Sequence, residues 1–146
     1  MLSDILKHLR EVLSQDNTPQ VEVVEDIDAL AEIVGRLESG AVIIVPWRER
    51  ASANPLASGG FRQHIAVQFL AGVVIRTFDQ MMGEERALQF DEHRRRLERA
   101  LAGWSPPAAV SPCQLVDAES SPVSTGVSIF VQTWETARIL TGEQTS

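Results

Sequence analysis

The chain has 146 residues, 44% of them hydrophobic, and a formal net charge of −7 at pH 7. That length fits one domain with a core large enough to fold without covalent staples, and the acidic balance argues against a protein that grips nucleic acid, which needs a basic face. The single cysteine, Cys113, excludes an internal disulfide framework and a cysteine-only zinc site, and reads as a small apolar residue buried in a strand.

Leu2, Ile5, Leu6, Leu9, Val12 and Leu13 recur at helical spacing, and the segment closes at Asp16, Asn17, Thr18 and Pro19. Asp4, Lys7, His8, Arg10 and Glu11 are mixed among them, so this amphipathic first helix is neither a signal peptide nor a membrane span, and a cytosolic protein is expected. Val21–Val24 has strand character. Asp26 then caps a second helix with the stripe Ile27, Leu30, Ala31, Val34 and Leu37, ended by Ser39 and Gly40. Ala41–Val45 is apolar on both faces, as a covered central strand must be, and Pro46 is expected to stop its pairing.

From Trp47 to Thr77 a polar loop, Arg48 to Gly60, runs into a long alternating strand. Phe61, Gln63, Ile65, Val67, Phe69, Ala71, Val73 and Ile75 share one face, and Arg62, His64, Ala66, Gln68, Leu70, Gly72, Val74 and Arg76 the other. Some fifteen residues at about 3.3 Å each span roughly 50 Å, more than the body of a small domain, so part of the strand is expected to bend or project. Gly72 marks the expected bulge, because glycine inside a strand costs packing and usually signals a bend or a close backbone approach. The loop's length points to a surface device.

A turn over 79–83 precedes a third helix, Glu84–Leu101, whose stripe is Phe90, Leu97 and Leu101 with Trp104 beyond, broken by Ser105, Pro106 and Pro107. Its arginines 94, 95, 96 and 99 point in different directions and are interleaved with Glu92 and Glu98, so they do not form one basic patch. Two strands follow, near Cys113–Ala118 and Gly126–Leu140, joined by a polar turn through Ser120, Ser121, Pro122, Ser124 and Thr125. On the last strand Val127, Ile129 and Val131 lie on one face and Phe130, Trp134 and Leu140 on the other. Either the third helix covers these aromatics from within the chain, or three helices lie on one face and a neighbouring subunit covers the other. Residues 1–140 thus read as one α+β domain, with a mostly antiparallel four- to five-stranded sheet and about three helices, followed by a disordered tail at 141–146.

No catalytic constellation emerges. His8, His64 and His93 lack metal-ligand spacing, Ser58-Gly59-Gly60 is no phosphate loop, and no serine elbow is present. Carboxylates such as Glu22 and Glu25 sit where solvation explains them. Neither an enzyme nor a cofactor is expected.

The order strand, Glu49-Arg50-Ala51, Asn54, Leu56-Ala57, Ser58-Gly59, Arg62-Gln63 and long alternating strand resembles the tail terminator proteins of long-tailed phages and phage-like particles. The likeness extends over most of the chain, through an arginine-bearing helix ending in Leu101-Ala102-Gly103-Trp104 with Pro106 after it, to a closing hairpin. The chain departs from that family's pattern in having no tyrosine and a second loop arginine, Arg48. The resemblance implies a virion protein of the tail–head junction, assembled in the host cytoplasm. It implies a homo-hexameric ring that caps the tail tube, stops its polymerisation and offers its other side to the head connector or stopper, while DNA passes through without specific binding. Arg48, Glu49, Arg50, Asn54, Arg62 and Gln63 are then expected at contacts with a neighbouring subunit or the major tail tube protein, and Phe130 and Trp134 join the candidate interface. The alternatives are another neck component, such as a head-completion or stopper protein, and a cytosolic adaptor.

Overall fold

Residues 1–16, 18, 20–56, 59–76, 83–124 and 126–142 are described by a computed structural model. Most of the expected turn at 79–83, Ala57 and Ser58 of the loop, Thr125 of the hairpin turn and residues 143–146 of the tail lie outside the described residues. The elements are α1 (Leu2–Leu13), β1 (Val21–Val23), α2 (Ile27–Ile33), β2 (Val42–Ala51), β3 (Arg62–Arg76), α3 (Gly83–Leu101), β4 (Ser111–Ser124) and β5 (Val127–Thr141). The strands form one sheet in the order β1-β2-β3-β5-β4, antiparallel except for the β1–β2 pair, which α2 bridges as a crossover. The fold is α+β.

Alternation along β3 places two different cores on the two sides of the sheet. Phe69, Ala71, Val73 and Ile75 meet Phe130 and Trp134 of β5 on one side, under Ile5, Leu9 and Leu13 of α1 and Leu97, Ala100 and Leu101 of α3. Leu70 and Val74 meet Ile43, Val45, Val127 and Ile129 on the other, under Leu30 of α2 and Leu37. The helices are therefore divided two and one, not stacked three on one face. Trp134 is 0% and Phe130 9% exposed, so the third and first helices cover the aromatics and leave them no surface for a neighbour. Burying each such side chain contributes about 1.5–3 kcal/mol.

Two local expectations are corrected. Pairing does not stop at Pro46, because Pro46 lies opposite Phe69 and the ladder with β3 continues to Ala51 opposite Ile65. The reason lies in strand polarity. Val42 donates its N–H to Gln20 on the β1 side, 2.9 Å away, and the two-residue period turns the nitrogen of Pro46 to that same side, where β1 has already ended. The missing N–H is therefore lost where β1 gives out and not from the ladder with β3. Gly72, by contrast, is not a bulge: β3 pairs without interruption with both neighbours there. A Cβ on Gly72 would stand 2.9 Å from Ile129 Cδ1 and 3.2 Å from Ile43 Cγ1, so the glycine serves close packing of the strands on either side.

The segment Leu101–Trp104 is a lock. Gly103, at φ 79°, ends α3 in the left-handed region. Its N–H donates to Cys113 O (3.0 Å), and Cys113 N–H donates back to Trp104 O (2.7 Å), which ties the helix end to β4. The Trp104 ring stacks on His8 of α1 at 3.8 Å and 3°, while His8 Nε2 lies 2.7 Å from Ala100 O and donates to it. The motif that reads as a family signature thus joins α1, α3 and β4.

Candidate functional site

The irregularity in this sheet that matters most sits at Trp47. Pro46 pairs with Phe69 and Arg48 with Gln68, so Trp47 is an extra residue, 49% exposed. One inserted residue reverses which side each later side chain takes. Before it, Ile44 lies on the α1/α3 side. After it, Glu49 stands opposite Val67 on that side, whereas Arg48 and Arg50 stand opposite Gln68 and Ala66 on the α2 side. Without the bulge the three charges would point the other way.

Each charge then meets a different environment. The Glu49 carboxylate reaches across β3 to Arg138 of β5, accepting from Nε at 3.0 Å and from Nη2 at 3.2 Å. The two-pronged bond to Arg138 holds the Glu49 carboxyl below its ordinary range against a smaller opposing effect of burial. On the other side Arg48 donates through Nε to Gln68 Oε1 (2.8 Å), and Gln68 Nε2 donates to Glu135 Oε1 (3.0 Å), a relay across three strands. Arg50 and Arg62 are exposed and have no hydrogen-bond or ion-pair partner for their guanidinium groups among the described residues.

Asn54 organises the loop between β2 and β3. Its Oδ1 accepts from Leu56 N (3.2 Å) and Arg62 N (3.1 Å), and its Nδ2 donates to Gly60 O (3.3 Å). Gln63 Nε2 donates to Ser52 O at 3.0 Å. These two side chains hold the loop in shape and have polar groups already engaged. The loop presents Leu56 and Phe61, each 44% exposed, beside Arg62. Of the eight candidate interface residues, then, the structure gathers Arg48, Glu49, Arg50, Asn54, Arg62 and Gln63 at one end of the sheet. It removes Phe130 and Trp134 to the core, and leaves Arg50 and Arg62 as the ones with free charged groups.

The sequence reading missed Trp47, Gln68, Glu135 and Arg138. The dipeptide Pro46-Trp47 before three alternating charges was the available signal for the bulge. The Glu49–Arg138 pair, 89 residues apart, had none.

Elsewhere the arginines of α3 are dispersed as expected. Arg94 and Arg95 pair with Asp91, Arg94 lies 4.0 Å from Glu98, and buried Arg96 reaches Thr18 Oγ1 at 3.1 Å and donates to His93 Nδ1. Burial, and secondarily the Arg96 cation, push the His93 imidazole down to about 4. Burial pushes the Cys113 thiol up to about 11, which keeps it unreactive. Among the described residues, no group of three or more metal-ligating side chains occurs and no helix is long and apolar enough to cross a membrane.

At this end of the sheet, charged side chains are carried on a paired strand, and Asn54 and Gln63 tie together the loop residues beside it. Comparison with curated proteins finds no match. The family model described as phage tail terminator protein matches residues 3–145, nearly the whole chain, including the bulged strand, the loop and the Gly103-Trp104 lock. The chain belongs to the phage tail terminator protein family and is a structural component of a phage tail.

Proposed function

We propose that this protein forms the homo-hexameric ring that caps the tail tube at the tail–head junction, stops tube polymerisation and presents its opposite side to the head connector or stopper. The observation that supports this most is the pair of unpartnered arginines, Arg50 and Arg62, at the bare end of a rigid sheet. Their backbone is fixed by strand pairing and by Asn54, so little backbone entropy is lost when a partner's carboxylates engage them. The ring performs no catalysis and takes no cofactor. A subunit carrying 20 acidic against 13 basic residues repels a polyanion, which lets DNA slide through the channel without specific binding.

The test is Arg50→Glu combined with Arg62→Glu, followed by electron microscopy of tails made in its presence. Overlong, headless tubes are expected from a subunit whose urea midpoint is unchanged. Tubes of normal length joined to heads would overturn the reading. Tubes of normal length that fail to join heads would instead identify a stopper or head-completion role.

A further inference from the structure

The α2 side of the sheet is only partly covered. Beyond Leu30 an open groove of about 270 Å³ remains, floored by Leu70 and Ile129 and rimmed by Trp47 on β2 and Val116 on β4. Small-molecule sites run from about 300 to 1,000 Å³ and are enclosed, so a trough of this size suits one or two side chains from another chain. Both rim residues, Trp47 and Val116, are 49% exposed. The β4 rim continues into Asp117 and Glu119, exposed carboxylates without an ion-pair partner among the described residues; Asp117 accepts only from the neighbouring Ala118 N–H, at 2.8 Å, while the β2 side of the lining carries Arg48, held by Gln68.

The loop between β2 and β3 is the complement of this groove. It offers two apolar side chains, Leu56 and Phe61, flanked by the free cations Arg50 and Arg62. Arg50 stands two residues from Arg48 in the lining, but Leu56 and Phe61 do not reach the groove of their own subunit. Leu70 lies eight steps along β3 from Arg62, roughly 26 Å of strand at about 3.3 Å per residue, and β3 is paired on both sides over most of that length. Only another molecule can bring the two together.

We propose that the groove at Trp47, Leu70, Val116 and Ile129, acidic along its β4 rim, receives Leu56 or Phe61 of a second copy of this chain, with Arg50 and Arg62 of that copy against Asp117 and Glu119. Two different surfaces of one subunit then meet, so each copy has one tip and one groove to offer, and the contact propagates head to tail until it closes. The charge complementarity lies within this one sequence, which is why the occupant is a second copy and not the tube protein. The inference rests on the terminator reading for its biological setting, and names the contact that joins neighbouring subunits in the ring.

The test introduces Phe61→Cys and Val116→Cys in one chain and oxidises it gently at high protein concentration and in assembled tails. Cys113, 2% exposed, does not compete. A ladder of covalent oligomers is expected from the double variant, dimers from a mixture of the two single variants, and neither from a single variant alone. No ladder, or a Phe61→Cys dimer with itself, overturns the proposal.

A second measurement does not depend on cysteine geometry. Asp117→Arg with Glu119→Arg should cut the oligomeric fraction on the order of tenfold or more, since like charges across an interface are strongly repulsive. Adding Arg50→Glu and Arg62→Glu to the same chain should restore it, and failure of rescue in a folded quadruple variant sinks the contact. If the ladder is absent while the unaltered protein still caps tubes, this contact is wrong and the terminator reading stands. If the ladder forms but the protein caps no tube, the contact stands and the terminator reading falls.

Discussion

The two halves of β3 have the same alternating pattern and different fates. From Phe69 to Ile75 every residue is buried, whereas from Arg62 to Gln68 only Ile65 is. Both halves are paired to β5 at every position, so backbone bonding does not distinguish them. What differs is cover: α1, α2 and α3 lie over the first, and the second stands between strands that carry Arg48, Glu49, Arg50 and Arg138. A period-2 pattern therefore specifies a two-faced strand without specifying what sits on the faces. In this protein one half of the sheet builds the core and the other half serves as a rigid mount for charge.

That contrast is open to test, with effects that should shrink from the covered half to the bare one. Trp134→Ala removes the largest fully buried side chain and should cost about 3–5 kcal/mol in urea unfolding. A cost near that of a surface change would mean the aromatics are not core after all. Gly72→Val forces atoms into the space closed by Ile129 and Ile43 and should cost about 1–3 kcal/mol, and less in a chain that already carries Ile129→Ala, where the cost of the second change shows the recovery. Absence of any recovery would locate the strain elsewhere.

At the helix layer, His93 makes stability depend on pH. Its folded value, about 4, lies below the ordinary 6.5, so between those values the unfolded chain binds the extra proton. The contribution is complete above 6.5 and is lost as pH falls toward 4. Urea midpoints measured from pH 7 to 4 should therefore drop more steeply for the parent than for His93→Gln, and coincident profiles would remove His93 from the account.

On the bare half the effects on folding should be smallest. A double-mutant cycle on Glu49 and Arg138 should return about 0.2–1 kcal/mol, as partly exposed pairs do. Because the Glu49 carboxyl is depressed below its ordinary 4.5, that coupling is present above 4.5 and fades as pH falls through the depressed value. A coupling of several kcal/mol would mean that this end is as integral to the fold as the helix-covered end.

Much of the covered half could be read from the chain. The stripes Ile5, Leu9, Leu13 and Leu97, Leu101 fall where a 3.6-residue period requires, and the two-residue alternation puts Phe69 and Leu70 on opposite faces, in the two separate cores. The candidate site was legible only as a location. Pro46 looks like a strand end because a proline at a paired position is costly, and only the register shows that its nitrogen faces the side where β1 ends, away from β3. The roles of Asn54 and Gln63 as loop pins depend on backbone groups brought near by the turn, and the partner of Glu49 lies on another strand.

The sequence by itself determined the fifteen-residue strand, its two faces, the amphipathic helices and the kinship carried by Glu49-Arg50-Ala51 and Gly103-Trp104, because these depend on local period and contiguous residues. Tertiary structure decided which charges remain free. The bulge at Trp47 turns Glu49 toward Arg138 and leaves Arg50 and Arg62 unclaimed among the described residues, an outcome set by strand register and by distances between residues far apart in the chain.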